Sequence, residues 1–185
     1  VVHEPVATPA LILVQALAKG GRDEQALETA TEVGVDEVVP WAAERSIVRW
    51  QGKKQQAGQE RWQRLAQSAT KQARRAYLPQ VAPVKTTHEL AAQVRARTEA
   101  GGVVLVAHES APRPLSGVLE DLQTRLDVAP EAVVIVGPEG GISDVELDAL
   151  VDAGEVPVLL GPTIMRTSTA GPAALVALNL ALGRW

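Results

Sequence analysis

Two glycine turns carry the residues best able to do chemistry. Gly137-Pro138-Glu139-Gly140-Gly141 sets a carboxylate at what reads as a strand exit. Gly161-Pro162 opens a second exit, followed by Ile164-Met165-Arg166-Thr167-Ser168-Thr169, which sets a guanidinium beside it. Neither turn is a dinucleotide fingerprint, because G-x-G-x-x-G cannot be laid over 137–141, and G-x-x-x-x-G-K-[ST] occurs nowhere. Phosphate cradling by a glycine loop is therefore poorly supported. A tight strand-to-helix turn explains one or two glycines through positive φ, but not the Pro138-Glu139 between them. Helix capping explains Ser168 or Thr169. It does not explain Arg166.

Other chemistries are thinly represented. His3, His88 and His108 show no metal-ligand spacing; His108 ends a strand and could line the pocket, though an ordinary edge histidine is the favoured reading. Asp144, Glu146, Asp148 and Asp152 read as an exposed helix face, so no metal site is expected. The absence of cysteine excludes disulfides, thiolate zinc sites and a cysteine nucleophile.

The elements that must position these turns follow from hydrophobic patterning. Strands are expected at 10–17, 35–41, 81–84, 103–107, 133–136 and 156–160, and 45–50 reads as a third strand or a strand-like extension. Helices are expected at 22–33, 59–77, 86–100, 116–126, 143–151 and about 170–182, with 51–58 a polar loop. Thr86-x-x-Glu89 and Ser143-x-x-Glu146 are capping boxes. Strands alternating with helices, several of them continuously apolar, predict an α/β fold with a mostly parallel sheet covered by helices on both faces. In such a sheet a ligand binds beyond the carboxyl ends of the strands, where both glycine turns fall.

Composition bounds the rest. The 185 residues suit one domain with an aliphatic core, since Phe is absent and Tyr occurs once. No apolar run is long enough to cross a bilayer and no secretory leader is visible, so no membrane partner and a cytoplasmic location are expected. The chain carries a net charge of −4, yet residues 44–77 hold nine Lys/Arg against two Glu. Within that run, Arg61, Arg64, Lys71 and Arg75 share one side of the 59–77 helix, opposite an apolar stripe of Trp62, Leu65, Ala66, Ala69, Ala73 and Ala76. A solvated face accounts for most such stripes. A phosphate-contacting face is favoured slightly here, because acidic i,i+4 partners are nearly absent.

At four segments the chain resembles the RsmE-type ribosomal-RNA uridine-N3 methyltransferases, members of the SPOUT class. They are VGPEGGISDVEL (136–147), LLGPTIMRTSTAGPAAL (159–175), ATEVGVDEVVPWAAERSIVRW (30–50) and RWQRLAQSATKQARRAYLPQV (61–81). The resemblance implies a C-terminal deep trefoil knot, a homodimer, and S-adenosylmethionine held in the knot. It assigns the cofactor to Val136, Gly137, Pro138, Gly140, Gly141, Leu159, Leu160, Gly161, Ile164, Met165, Thr169 and Ala170. It implies small-subunit ribosomal RNA as substrate, and residues 1–9 as the linker from an N-terminal RNA-binding barrel, with the methyltransferase domain at 10–185. The segment departs from the family's common R-I-L-R-x-E-T-A pattern: Thr163 stands where Arg is frequent and Ser168 where Glu is frequent.

Under this resemblance the catalytic candidates are Arg166 and Glu139. Arg166 would face the charge left on a uridine ring that has lost its N3 proton, or orient the cofactor carboxylate. Glu139 would act as base or contact the cofactor amine. Arg45, Arg64, Lys71 and Arg75 are the RNA-binding candidates. Two rivals stand beside this reading: a SPOUT methyltransferase acting on transfer RNA or another ribosomal nucleotide, and a non-catalytic RNA- or nucleotide-binding α/β module.

Overall fold

The computed structural model describes residues 7–185, so residues 1–6 of the expected linker lie outside the described part. Seven strands form one sheet: β1 Ala10–Ala16, β2 Glu37–Ala42, β3 Gln80–Val81, β4 Lys85–Thr86, β5 Val103–Ala107, β6 Glu131–Val136 and β7 Val156–Val158. The path runs β3-β2-β1-β6-β5-β7 with β4 on β2, and every pairing is parallel.

Period-2 alternation divides the core in two. In β1, Leu11 and Leu13, with Leu17 just past its end, face the layer of α1 (Arg22–Glu32), α2 (Lys53–Gln72), α4 (Leu115–Leu126) and α6 (Thr167–Ala181). Ile12, Val14 and Ala16 face α3 (Thr87–Glu99) and α5 (Asp144–Asp152). The mostly parallel sheet covered on both faces is thus present. Both capping boxes form, with Thr86 and Ser143 as N-caps.

Several boundaries differ from expectation. Residues 45–50 form no strand, because Arg49 donates to the carbonyls of Ala43 and Glu44 and closes the segment on itself. The 51–58 loop is mostly helix: α2 starts at Lys53, its polar first turns exposed except where Gly58 packs on Trp50. An added Cβ at Gly58 would lie 2.4 Å from the Trp50 ring, so only glycine allows Trp50 to reach its edge-on contact with Trp62. At the other end α2 stops at Gln72, five residues early, where Arg74 takes a left-handed φ of 53°. The expected strand 81–84 divides into β3 and β4 around Ala82-Pro83-Val84. Strand β7 ends at Val158, although Leu159 still bridges to Pro114. Helix α6 begins at Thr167 with Arg166 as N-cap, so Ser168 and Thr169 lie inside the helix and neither caps it.

Candidate functional site

The carboxyl ends of β5, β6 and β7 open into a cavity of about 590 Å³. This is within the range of pockets that hold small organic ligands, about 300–1,000 Å³. Ten of the twelve expected cofactor residues line it: Val136, Gly137, Pro138, Gly141, Leu159, Leu160, Gly161, Ile164, Met165 and Ala170. Gly140 and Thr169 do not. Gly140 is instead covered by Arg45, against whose Cβ an added Cβ would stand 3.1 Å away. Thr169 is exposed on α6. Thr163 lies on the rim, and Ser168 is buried at 7% exposure.

The walls are held in place by side chains the glycine motifs did not advertise. Gln15 is fully buried in the row Leu11, Leu13, Gln15, Leu17, and its Nε2 donates to Thr167 Oγ1 at 2.8 Å. Thr167 in turn donates to the Gly137 carbonyl at 2.8 Å. One chain of hydrogen bonds therefore joins β1, the first glycine turn and the start of α6. A polar residue in an otherwise apolar inward row was the available signal for Gln15. On the opposite wall, Ile142 packs so closely that a Cβ at Gly137 would lie 2.6 Å from its Cγ1. Packing against Ile142, rather than positive φ, requires glycine at 137, whereas Gly141 does take a positive φ of 75°.

Charged groups gather at the mouth: Arg22, Arg45, Glu109, Glu139 and Arg166, with His108 beside them. Arg166 is exposed and has no side-chain hydrogen bond or ion pair among the described residues; its carbonyl accepts from Thr169 and Ala170. Glu139 is committed to the protein. Its Oε1 accepts from Arg22 Nη1 at 2.8 Å and from the Lys19 amide at 3.1 Å. Partial burial pushes its carboxyl pKa up, but its own and the Lys19 amide together with Arg22 outweigh this and hold it below the ordinary carboxylate value. A carboxylate so stabilised is a poor proton acceptor. His108 turns its Nδ1 toward Ser110, whose hydroxyl lies 2.8 Å away, and lines the cavity rather than being a plain edge residue.

The RNA-binding candidates separate. Arg45 lines the cavity, donating Nη1 to the Gly140 carbonyl at 3.1 Å. Arg64 and Lys71 are exposed on α2, with only a 4.0 Å contact from Arg64 to Glu60. Arg75 is a correction. Past the early end of α2 it turns inward, 15% exposed, donating to the carbonyls of Thr31 and Val35 at 3.0 and 2.6 Å and pairing with Asp36 at 3.6 Å. Burial lowers its pKa and Asp36 partly restores it. Its guanidinium ties α1 to the turn that leads into β2 and is not part of the exposed stripe. Ala76, expected in the apolar stripe, is exposed for the same reason.

Glu146 is a second correction. It is 4% exposed and accepts from the Glu44 amide and the Thr87 hydroxyl, so it is a structural acceptor rather than part of an exposed acidic face. Among the described residues no group of His, Asp and Glu could hold a metal ion.

A parallel α/β sheet with a cavity at its strand carboxyl ends, walled by two glycine exits, defines a small-molecule-binding domain of the doubly covered α/β class. The chain belongs to the RNA methyltransferase domain family, whose pattern matches residues 6–179. It is 42% identical over 181 residues to a ribosomal RNA small subunit methyltransferase E from Mycobacterium bovis, covering 98% of this chain and 67% of that protein. A crystal structure of the enzyme of that name from Neisseria gonorrhoeae, bound to S-adenosyl methionine, superposes with a TM-score of 0.77 at 27% identity, over 94% of this chain and 66% of that one. A putative methyltransferase from Legionella pneumophila with bound cofactor SAM gives a TM-score of 0.77 at 28% identity, over 93% and 66%. The chain therefore spans about two thirds of the length of these relatives.

Proposed function

We propose that this chain is the catalytic domain of an S-adenosylmethionine-dependent methyltransferase that modifies N3 of a uridine in small-subunit ribosomal RNA. The observation that carries the reading is the cavity between the two glycine exits, lined by ten residues that the family resemblance assigns to the cofactor. The residues present fit that cofactor. Val136, Ile142, Leu159, Leu160 and Met165 offer apolar surface for an adenosine, and the glycine turns bring backbone groups close to it. At Gly161 an added Cβ would meet no atom of the described residues within 4 Å, so the space beside that turn is open. When bound, the cofactor supplies an electrophilic methyl group on its sulfonium.

The chain's own residues supply position and charge. Arg166, whose side chain has no partner among the described residues, faces the negative charge that develops on the uracil oxygens as N3 loses its proton. Gln15 and Thr167 hold the Gly137 carbonyl and the start of α6 in register, which keeps the reacting groups within a near-attack geometry. Glu139 acts through Arg22 and the Lys19 amide rather than as a base. The knotted C-terminal path belongs to the same reading, supported by the 137–142 and 159–167 segments lining one cavity and meeting at the Thr167–Gly137 hydrogen bond. So does a homodimer, for which the 82% exposed Ile164 at the rim and the 60% exposed Leu180 on α6 provide apolar surface. No described helix is long and apolar enough to cross a membrane, and a cytoplasmic location completes the reading.

Methylation of small ribosomal subunits lacking the mark, followed by nucleoside mass spectrometry, tests the function in the full-length protein. Appearance of 3-methyluridine is expected. A different methylated nucleoside would move the protein to the rival SPOUT substrates. Calorimetric titration with S-adenosylmethionine tests the site: Gly137→Ala is expected to weaken binding at least roughly tenfold, because crowding Ile142 displaces the turn. Absence of cofactor binding by the unaltered chain would favour the non-catalytic module.

The exposed α2 face supports RNA contact by Arg64 and Lys71. Reversing both to Glu is expected to weaken RNA binding and flatten its salt dependence, with the melting temperature unchanged. Arg75→Ala should do the opposite. It should cost about 2 kcal/mol of stability by leaving the Thr31 and Val35 carbonyls without their donor, with no change in the salt slope. Equal RNA affinities for the double reversal and the parent would return the stripe to a solvated face.

A further inference from the structure

Arg22 is the first residue of α1, where a cation opposes the helix dipole, so helix stability gives no reason for it. Its position is nevertheless tightly built. Asp23, 5% exposed, accepts from the Ala18 amide and fixes the turn that leads into α1. Glu139 then holds one end of the Arg22 guanidinium at 2.8 Å. The pair is too exposed, at 37% and 23%, to matter much for folding. The remaining Arg22 nitrogens have no acceptor among the described residues. Across the same turn, Arg45 is fixed by the next residue: its Nη1 donates to the Gly140 carbonyl and its Cβ packs on the Gly140 backbone. Two guanidinium groups are thus mounted on consecutive residues of one turn, both at the mouth of the cavity, each with unused N–H donors.

We propose that Arg22 and Arg45 form a two-pronged grip for a backbone phosphate of single-stranded RNA, seating the strand so that one base enters the cavity. This rests on the methyltransferase reading above and names how that site would hold its polymer. The chemistry recognised is an oxyanion offered to two planar donor forks, which arginine suits better than lysine. The 137–141 turn that forms the cofactor wall also sets the spacing of the two prongs, so a base is presented only where the turn is ordered. The cofactor carboxylate is the other oxyanion at hand, and the test separates the two.

In the full-length protein, Arg22→Gln and Arg45→Gln are each expected to weaken binding of a uridine-containing single-stranded RNA oligonucleotide roughly tenfold. The double variant should also reduce the slope of log affinity against log salt by about 0.7, the single-strand value for the one phosphate the two share, and each single variant by part of that. Arg22→Lys should keep the slope while recovering only part of the affinity. S-adenosylmethionine affinity, measured on the same variants, should fall less than RNA affinity, any loss reflecting the hold that Arg45 and Arg22 keep on the 137–141 turn. Unchanged RNA affinity and slope would overturn the grip. So would a tenfold loss of cofactor affinity with RNA binding intact, which would assign the arginines to the cofactor carboxylate. Failure of the unaltered protein to bind cofactor or methylate would instead remove the parent reading. Thermal unfolding of each variant guards against misfolding, with Arg45→Lys as the fallback if Arg45→Gln fails to fold.

Discussion

Arg166→Ala in the full-length enzyme is expected to lower turnover by a factor on the order of 10²–10³, the usual consequence of removing one donor aimed at developing charge. The expectation follows from where the side chain is and from what it lacks. It caps the start of α6 through its backbone, so the main chain there is ordered by the Thr169 and Ala170 amides whatever the side chain. Its guanidinium meets no carboxylate or carbonyl among the described residues, so its charge is not spent internally. Stability should therefore hardly change, and the melting temperature provides that control. Single-turnover and binding measurements separate the two roles open to it. A lower rate at unchanged cofactor affinity places the cation on the uracil oxygens. A weaker cofactor affinity with the rate restored at saturation places it on the cofactor carboxylate. Near-normal turnover together with unchanged affinity would remove Arg166 from both.

Glu155→Gln is expected to raise stability at pH 9 by roughly 2–4 kcal/mol, or roughly 5–15 °C in a protein of this size, and to change it little at pH 5. Glu155 lies in the turn between α5 and β7, directly after Gly154, whose φ of 102° is accessible to glycine and whose added Cβ would meet Thr98 at 2.9 Å. The turn presses the carboxyl inward to 5% exposure, and among the described residues no donor reaches full hydrogen-bond geometry with either oxygen. Desolvation pushes its pKa from 4.5 up to about 8, offset only in part by the Val106 amide. The folded state therefore binds a proton more tightly than the unfolded chain. Its stability from this group is full below pH 4.5, falls as pH rises toward about 8, and is flat beyond. Gln carries no charge at any pH, so its advantage should open across that same window. A melting difference that is equal at pH 5 and pH 9 would show that Glu155 is not desolvated as described.

How far the site was legible depended on whether a residue's role was local. The glycine turns could be read directly, because strand exits into glycine are set by neighbours in sequence, and their residues other than Gly140 do line the cavity. The capping boxes were legible for the same reason, each needing only a residue and its third successor. Arg75 was misread by helical periodicity because α2 ends before it, and the end is set by the left-handed turn at Arg74 and by the carbonyls of Thr31 and Val35, some forty residues earlier in the chain. Glu146 shows the same limit: its capping box was visible, but its burial by Glu44 and Thr87 comes from distant parts of the chain.

The amino-acid sequence by itself determined the alternation of elements, the parallel class of the sheet and the two turns that wall the site, since each follows from patterning within a short window. Only the tertiary structure decided which charges face the cavity. Glu139 and Arg22 are separated by more than a hundred residues, as are Gln15 and Thr167, and each pair meets because parallel strands bring their carboxyl ends to one edge. Hydrogen bonds and ion pairs act over a few ångströms, so whether a carboxylate is a free base or an arginine's anchor is decided by that meeting.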